Sequence, residues 1–369
     1  MTNNQIGVAV VGTGFGEKIH IPGFAEHPRT QVVAVYHRDL AKAKTIAEAH
    51  GIPTASDSLG DIITMREVQG VSISTPPFLH YEMAKMVLTA GKHLLLEKPT
   101  TMNAAEARSL YQIAANKHVT ITLDFEFRFV PAWQRFKELL EDNYCGQKRL
   151  IKIDWLVSSR ADANRPWNWY AQKACGGGAL GAVGSHAFDY ITWLFAPIRR
   201  LCGFLSTAIP DRPDPAAGGV LKPVDADDTC LIMMELADGT PCQLTISSVT
   251  YQGRGHWVEV YGDQGTLVLG NDNQKDYIHG FRLQGAPAGQ PLREIEIPKR
   301  LDFPKTYLDG RLAPFVRVAD HWVKSMDGGT NSPPGLREGI NSQLLMDLTH
   351  KSQQIGGWVD VPDLASFLE

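Results

Sequence analysis

Short apolar runs alternate with amphipathic stretches through the first third of the chain. Gly7-Val8-Ala9-Val10-Val11 is continuous, apolar and followed by glycine, the pattern of a strand buried on both faces. Residues 31–36, 71–74, His93–Leu96 and 119–123 repeat that pattern. Between them, Leu40–His50, 81–90 and 104–116 carry helical spacing, and Gly51 and Gly91 stand where C-terminal caps belong. Strands alternating with helices predict βαβ units and a doubly wound parallel sheet. The second half changes character. Strand-like runs at 150–157, Thr229–Leu236, 243–248, 256–261 and 266–269 are separated by turn residues rather than helices. They predict a mostly antiparallel sheet. Residues 209–223 are rich in Pro and Gly and poor in apolar side chains, and are expected to form a surface loop.

Length fits two domains: the chain has 369 residues and 43% hydrophobic positions, enough for two cores. Lys and Arg number 36 and Asp and Glu 40, so the net charge is −4. That near-balance gives no global field for nucleic acid or an anionic membrane, and no apolar run is long enough to span a bilayer. The polar start Met1-Thr2-Asn3-Asn4-Gln5 lacks a basic region ahead of an apolar stretch, so a cytoplasmic protein is expected. The five cysteines form no C-x-x-C pair, which argues against a disulfide framework and a thiolate metal site, and no metal is expected; they read as buried reduced thiols.

Gly12-Thr13-Gly14-Phe15-Gly16 follows the first strand directly. In a βαβ unit, G-x-G after a strand marks a dinucleotide site: Gly12 for the tight turn, Gly14 for close approach of a pyrophosphate to the backbone. The third glycine of G-x-G-x-x-G is replaced by Glu17, with Gly16 beside it, so a slight displacement of the following helix is expected. The second strand ends in Tyr36-His37-Arg38-Asp39. An acidic residue there selects NAD and an arginine NADP. His37 and Arg38 favour NADP, with NAD still possible; the alternative is a solvated Arg38 and an Asp39 that caps the next helix.

Four further segments stand in a telling order: Ser74-Thr75-Pro76-Pro77 with His80, Gly91-Lys92-His93-Leu94-Leu95-Leu96-Glu97-Lys98-Pro99, Glu126-Phe127-Arg128-Phe129-Val130-Pro131, and Gly176-Gly177-Gly178 leading into Gly184-Ser185-His186-Ala187-Phe188-Asp189. With Asp227-Asp228-Thr229, the Tyr261-Gly262-Asp263-Gln264-Gly265 segment and the tail through Trp358, the chain resembles the Gfo/Idh/MocA oxidoreductases along nearly its whole length. The resemblance implies a Rossmann domain, placed at 1–125, and a substrate-binding and oligomerisation domain with a large open, mostly antiparallel sheet, placed at 126–369. It implies hydride transfer between nicotinamide and a sugar, cyclitol or related polyhydroxylated substrate. It also implies a homodimer or homotetramer, since an uncovered sheet face must be buried by something.

Hydride transfer from a carbinol carbon needs a base, and the reverse reaction an acid. Lys98 lies just past the carboxyl end of a parallel strand, where ligands of open α/β sheets bind, and the resemblance assigns it that role. The resemblance also implies that Glu97 holds Lys98 or the cofactor, and that Ser74, Thr75, Pro76, His80 and Arg128 join Gly12, Thr13, Gly14, Phe15, Gly16, His37 and Arg38 around the dinucleotide. His186 is implied in substrate binding or proton relay, yet Ala182 stands where many members carry an orienting Asp. Asp189 looks like the family's structural aspartate. Phe127, Trp167 and Trp169 are expected to contact the substrate beside Lys98 and His186, with Tyr251, Gln252 and His256 as further candidates from the sheet. Two other readings stay open: a cofactor-binding sensor of the same fold, and an enzyme that retains its nicotinamide while oxidising transiently to allow elimination.

Overall fold

The computed structural model describes residues 5–369; the expected polar leader at residues 1–4 lies outside the described residues. The chain forms two compact units. The first comprises residues up to 126 together with 307–343, the second 127–306 together with 344–369. The continuous second domain expected at 126–369 is thereby corrected: 307–343 belongs with the N-terminal unit.

In the first unit, β1 (Ile6–Val11), β2 (Thr30–Tyr36), β3 (Thr54–Ser56), β4 (Gly70–Ile73), β5 (His93–Leu96) and β6 (Ile121–Leu123) form one parallel sheet in the order β3-β2-β1-β4-β5-β6. Val8, Ala9, Val10 and Val11 are all fully buried, as a central strand covered on both faces requires. The crossovers include α1 (Ile21–Glu26), α2 (Leu40–His50), α3 (Leu59–Thr64), α4 (His80–Thr89) and α5 (Ala104–Ala115). Gly51 ends α2 in the left-handed conformation. The short β3 and α3 carry too little periodicity to be read from sequence. The later segment supplies a helix, Leu312–Gly328, whose Phe315 and Trp322 are fully buried beside Phe24 of α1. A Cβ on Gly23 would strike Phe315 and one on Gly70 would strike Trp322, so both glycines make room for this helix.

In the second unit, α6 (Pro131–Glu141) leads to β7 (Lys148–Leu156), and α7 (Ser185–Leu194) to β8 (Ile198–Ser206). The expected loop at 209–223 instead holds a two-stranded hairpin, β9 (Asp211–Asp214) with β10 (Val220–Pro223), whose strands are short and Pro-containing and so lack an alternating signature. Then follow β11 (Thr229–Leu236), β12 (Pro241–Ser247), β13 (Gly255–Gly262), β14 (Gly265–Asn271), β15 (Arg282–Pro287), β16 (Arg293–Glu294) and β17 (Val359–Asp360). Apart from the hairpin they form a nine-stranded sheet, β16-β15-β14-β13-β7-β12-β11-β8-β17, antiparallel except for the β12–β7 pair. Alternation sorts its faces: Cys230, Ile232 and Met234 are buried, while Leu231 and Met233 are exposed, as is Phe204 on the neighbouring strand. Cys145, Cys230 and Cys242 are buried; Cys175 and Cys202 are only half-buried, which corrects the expectation that all five are interior. Among the described residues no helix is long and apolar enough to cross a membrane.

Candidate functional site

In the first unit, the loops after β1, β2, β4 and β5 all leave the carboxyl edge of the parallel sheet. Gly12 has φ +104°, and a Cβ there would lie 2.7 Å from the Ser74 carbonyl group, so only glycine fits. Around a Cβ on Gly14 nothing lies within 4 Å, which leaves open space over an exposed backbone where a pyrophosphate would approach. Gly16 takes over the packing role of the absent third glycine: a Cβ there would clash with Ser74 Oγ and meet Val10 at 3.1 Å. The chain then runs through a π-turn, Gly16–His20, before α1 begins. Glu17, at the third position, lies in the first part of this turn and is half-buried. Thr13 is buried and Phe15 half-buried, its ring edge-on to His20 with the Arg311 guanidinium 5.2 Å over it.

At the end of β2, the Asp39 carboxylate accepts from the N–H groups of Ala41 and Lys42 and so caps α2. His37 Nδ1 accepts from the Asp39 N–H. Arg38 is exposed and forms no ion pair among the described residues. Asp39 as the cap and Arg38 as a solvated charge are thus the two features of the alternative reading. After β4, the Ser74 N–H donates to Val11 O at 2.8 Å, tying the two loops together. Thr75 and Pro76 are half-buried; the Thr75 hydroxyl faces Met83 Sδ at 3.7 Å. His80 departs from its expected cofactor contact. It is fully buried, with Nδ1 2.9 Å from Pro99 O and Nε2 2.8 Å from Thr75 O, so it braces the two loops instead.

Glu97 is buried and Lys98 half-buried after β5, and the Lys98–Pro99 peptide is cis. Glu97 Oε2 accepts from the Lys98 N–H at 3.1 Å, and Oε1 from His20 Nε2 at 3.1 Å. A carboxylate only accepts, so Nε2 carries the hydrogen; Nδ1 meets the Ser72 hydroxyl at 2.7 Å. Asp124, also buried, places Oδ2 3.8 Å from the same Nε2. Burial pushes the Glu97 carboxyl up, but the His20 hydrogen bond and charge, with Lys98, outweigh it and hold it below the ordinary range. Burial, then the charges of Glu97 and Glu126, hold Asp124 well above its ordinary range. This pair of carboxyls therefore splits into an anion and a neutral acid. Sequence reasoning passed over His20 and Asp124; the only signal was polar residues in otherwise apolar sheet-facing segments.

In the second unit, His186 is buried at the start of α7, which follows another π-turn, Leu180–Gly184. The Phe127 ring stands edge-on to it at 5.1 Å. Phe127 is itself 1% exposed, ringed by Trp133, Trp155, Tyr190 and His256, so it supports His186 and is not a substrate contact as expected. Arg128, expected at the cofactor, instead grips Asp189 on α7: Nε donates to Oδ2 at 2.9 Å and a second nitrogen to Oδ1 at 2.6 Å, both residues buried. Trp167 is half-buried and already engaged, its indole N–H donating to Pro223 O at 3.0 Å and Lys222 lying 4.7 Å over its ring. Trp169 is half-buried against Tyr170.

His256 is 2% exposed, stacked on Trp155 at 4.0 Å, with Nε2 3.0 Å from the Tyr190 hydroxyl. It belongs to the core, not to a substrate surface; Tyr251 is 71% exposed. Burial pushes the His256 imidazole down to about 3 from 6.5. Between those pH values the unfolded chain binds a proton that the folded chain refuses, so stability falls as pH falls, by about 1.4 kcal/mol per pH unit. From pH 6.5 to 5 this one histidine should cost about 2 kcal/mol. Urea melts of wild type and His256→Phe at pH 7 and 5 measure it: the wild type should lose more than the variant, and equal losses would rule the assignment out.

Residues 6–125 match the model of the oxidoreductase family with an NAD-binding Rossmann fold, and residues 133–268 that of the Gfo/Idh/MocA C-terminal domain. An uncharacterized oxidoreductase of Synechocystis is 55% identical over 98% of this chain and 97% of its own. Levoglucosan dehydrogenase of Pseudarthrobacter phenanthrenivorans is 26% identical over 98% of this chain and 100% of its own. A solved structure of levoglucosan dehydrogenase in its apo form superposes with a TM-score of 0.89 at 25% identity, covering 97% of this chain and 99% of the other.

Proposed function

Since this chain belongs to the Gfo/Idh/MocA family of NAD-binding oxidoreductases, we propose that it transfers a hydride between NADP and a carbinol carbon of a sugar, cyclitol or related polyhydroxylated substrate. The observation that carries this reading is the carboxyl edge of the first sheet. There a glycine turn that only Gly12 can make, an open Gly14 backbone and the half-buried Lys98 share one side. Levoglucosan dehydrogenase, with structures in complex with NADH and with levoglucosan or L-sorbose, supports the substrate class.

When bound, the nicotinamide supplies or accepts the hydride. Lys98 takes the hydroxyl proton in oxidation and returns it in reduction. His186, lacking a carboxylate at Ala182, binds substrate or assists the proton transfer, and Trp169 offers an aromatic face to a sugar ring. NADP is favoured over NAD because the one carboxylate at the end of β2 is committed to its helix, which leaves unpaired Arg38 for a 2′-phosphate. The exposed Phe204, Leu231 and Met233 on one face of the nine-stranded sheet support assembly into a homodimer or homotetramer.

Fluorescence titration with NADPH and, separately, NADH tests the cofactor. NADPH should bind at least about tenfold tighter, the worth of a charge-assisted phosphate contact, and Arg38→Ala should erase the difference. Tighter binding of NADH by the wild type would move the assignment to NAD.

A further inference from the structure

Behind the Glu97–Lys98 loop sits a buried polar cluster that hydride transfer itself does not call for. His20 from the π-turn, Ser72 from β4, Glu97 from the end of β5 and Asp124 from the end of β6 meet inside an otherwise apolar sheet. The donor and acceptor atoms of His20, Glu97 and Asp124 lie within 4.8 Å of one another, and all three residues are buried. The Phe315 ring stacks on His20 at 4.3 Å, with Phe24 and Phe15 edge-on, so aromatic rings cover the imidazole on those sides. The charged neighbours are Lys98 and Glu126. Burying two carboxyls in such a place is costly unless it achieves something.

We propose that His20 and Asp124 are positioning residues for Lys98, holding the Glu97 carboxylate in place as an anion behind it. The geometry accounts for each part. Ser72 orients His20 through Nδ1, so that Nε2–H points at Glu97 Oε1. That bond leaves Glu97 Oε2 on the Lys98 backbone N–H, fixing the carboxylate at the root of the lysine side chain. Asp124, kept neutral by burial and then by the Glu97 and Glu126 charges, lies 3.8 Å from the same Nε2 as a neutral acid. The inference rests on Lys98 being the acid/base group, and its test is independent of turnover.

Lys98 in the intact protein is labelled with trace acetic anhydride across a pH series and its acetylation read by mass spectrometry, since only the free amine reacts. Glu97→Gln and His20→Phe should each lower the pH of half-maximal acetylation by about one unit, because the anion is removed or released. Asp124→Asn, the shape of the neutral acid, should leave it in place. If His20→Phe fails to fold, as a melt would show, Ser72→Ala should give a smaller shift in the same direction. Coincident curves for wild type and Glu97→Gln, or an Asp124→Asn shift as large as that of Glu97→Gln, overturn the proposal. A Lys98→Met protein that still turns over would instead remove the acid/base reading and leave the labelling result standing.

Discussion

Replacing Lys98 by methionine is expected to lower kcat by about 10²- to 10⁴-fold, the usual worth of a positioned general acid or base. Nucleotide affinity should stay within about threefold, because Gly12, Gly14 and Ser74 form the turn without help from the lysine side chain. Methionine keeps the length and the apolar stem, so the loop between Glu97 and Pro99 has no steric reason to move. Lys98→Arg separates two explanations. Arginine keeps the positive charge but cannot give up its proton, so it should be nearly as inactive as methionine if proton transfer is the role. Substantial activity in the arginine protein would point to charge stabilisation alone, and full activity in both would remove Lys98 from the chemistry. Steady-state rates with NADP and a panel of sugars and cyclitols, alongside fluorescence titration of each variant with NADPH, provide the measurements.

The parts of this molecule that were legible in the sequence share one property: they depend on local pattern. β1 shows itself because a strand covered on both faces is a continuous apolar run, and Gly12 because no other residue tolerates its turn. The nine-stranded sheet shows itself through alternation, Cys230, Ile232 and Met234 inward against Leu231 and Met233 outward. Features built by distant pairing left no such trace. The helix Leu312–Gly328 is amphipathic, but nothing in its residues says that its Trp322 packs over Gly70. His20 and Glu97 lie 77 positions apart, and Arg128 and Asp189 lie 61 apart. The motif resemblance put Arg128, His80 and Phe127 near ligands. Within their own units His80 bonds Thr75 and Pro99, Arg128 bonds Asp189, and Phe127 packs on His186. Asp39 shows the converse: its cap is a local feature already open in the sequence, and its contacts with the Ala41 and Lys42 N–H groups make it.

The Arg128–Asp189 pair carries the other large expectation. Both side chains are nearly inaccessible, at 9% and 2%, and the two hydrogen bonds form the bidentate fork that guanidinium and carboxylate geometry favours. Removing one partner strands a buried charge, so Arg128→Ala should destabilise the second unit by about 3–5 kcal/mol. Asp189→Asn should cost less, because the amide oxygen still accepts one bond while the guanidinium keeps its place over Trp193. Changing both residues to leucine removes the charges together and should recover much of the loss. Urea unfolding followed by tryptophan fluorescence separates these cases, and a loss under about 1 kcal/mol for Arg128→Ala would show that the pair is not what fixes α7. The same helix carries His186 three positions earlier, so a weakened pair should also loosen that imidazole against Phe127. The expected sign is a raised KM for substrate with unchanged NADPH affinity. The nucleotide turn lies in the first unit, whereas this pair lies in the second.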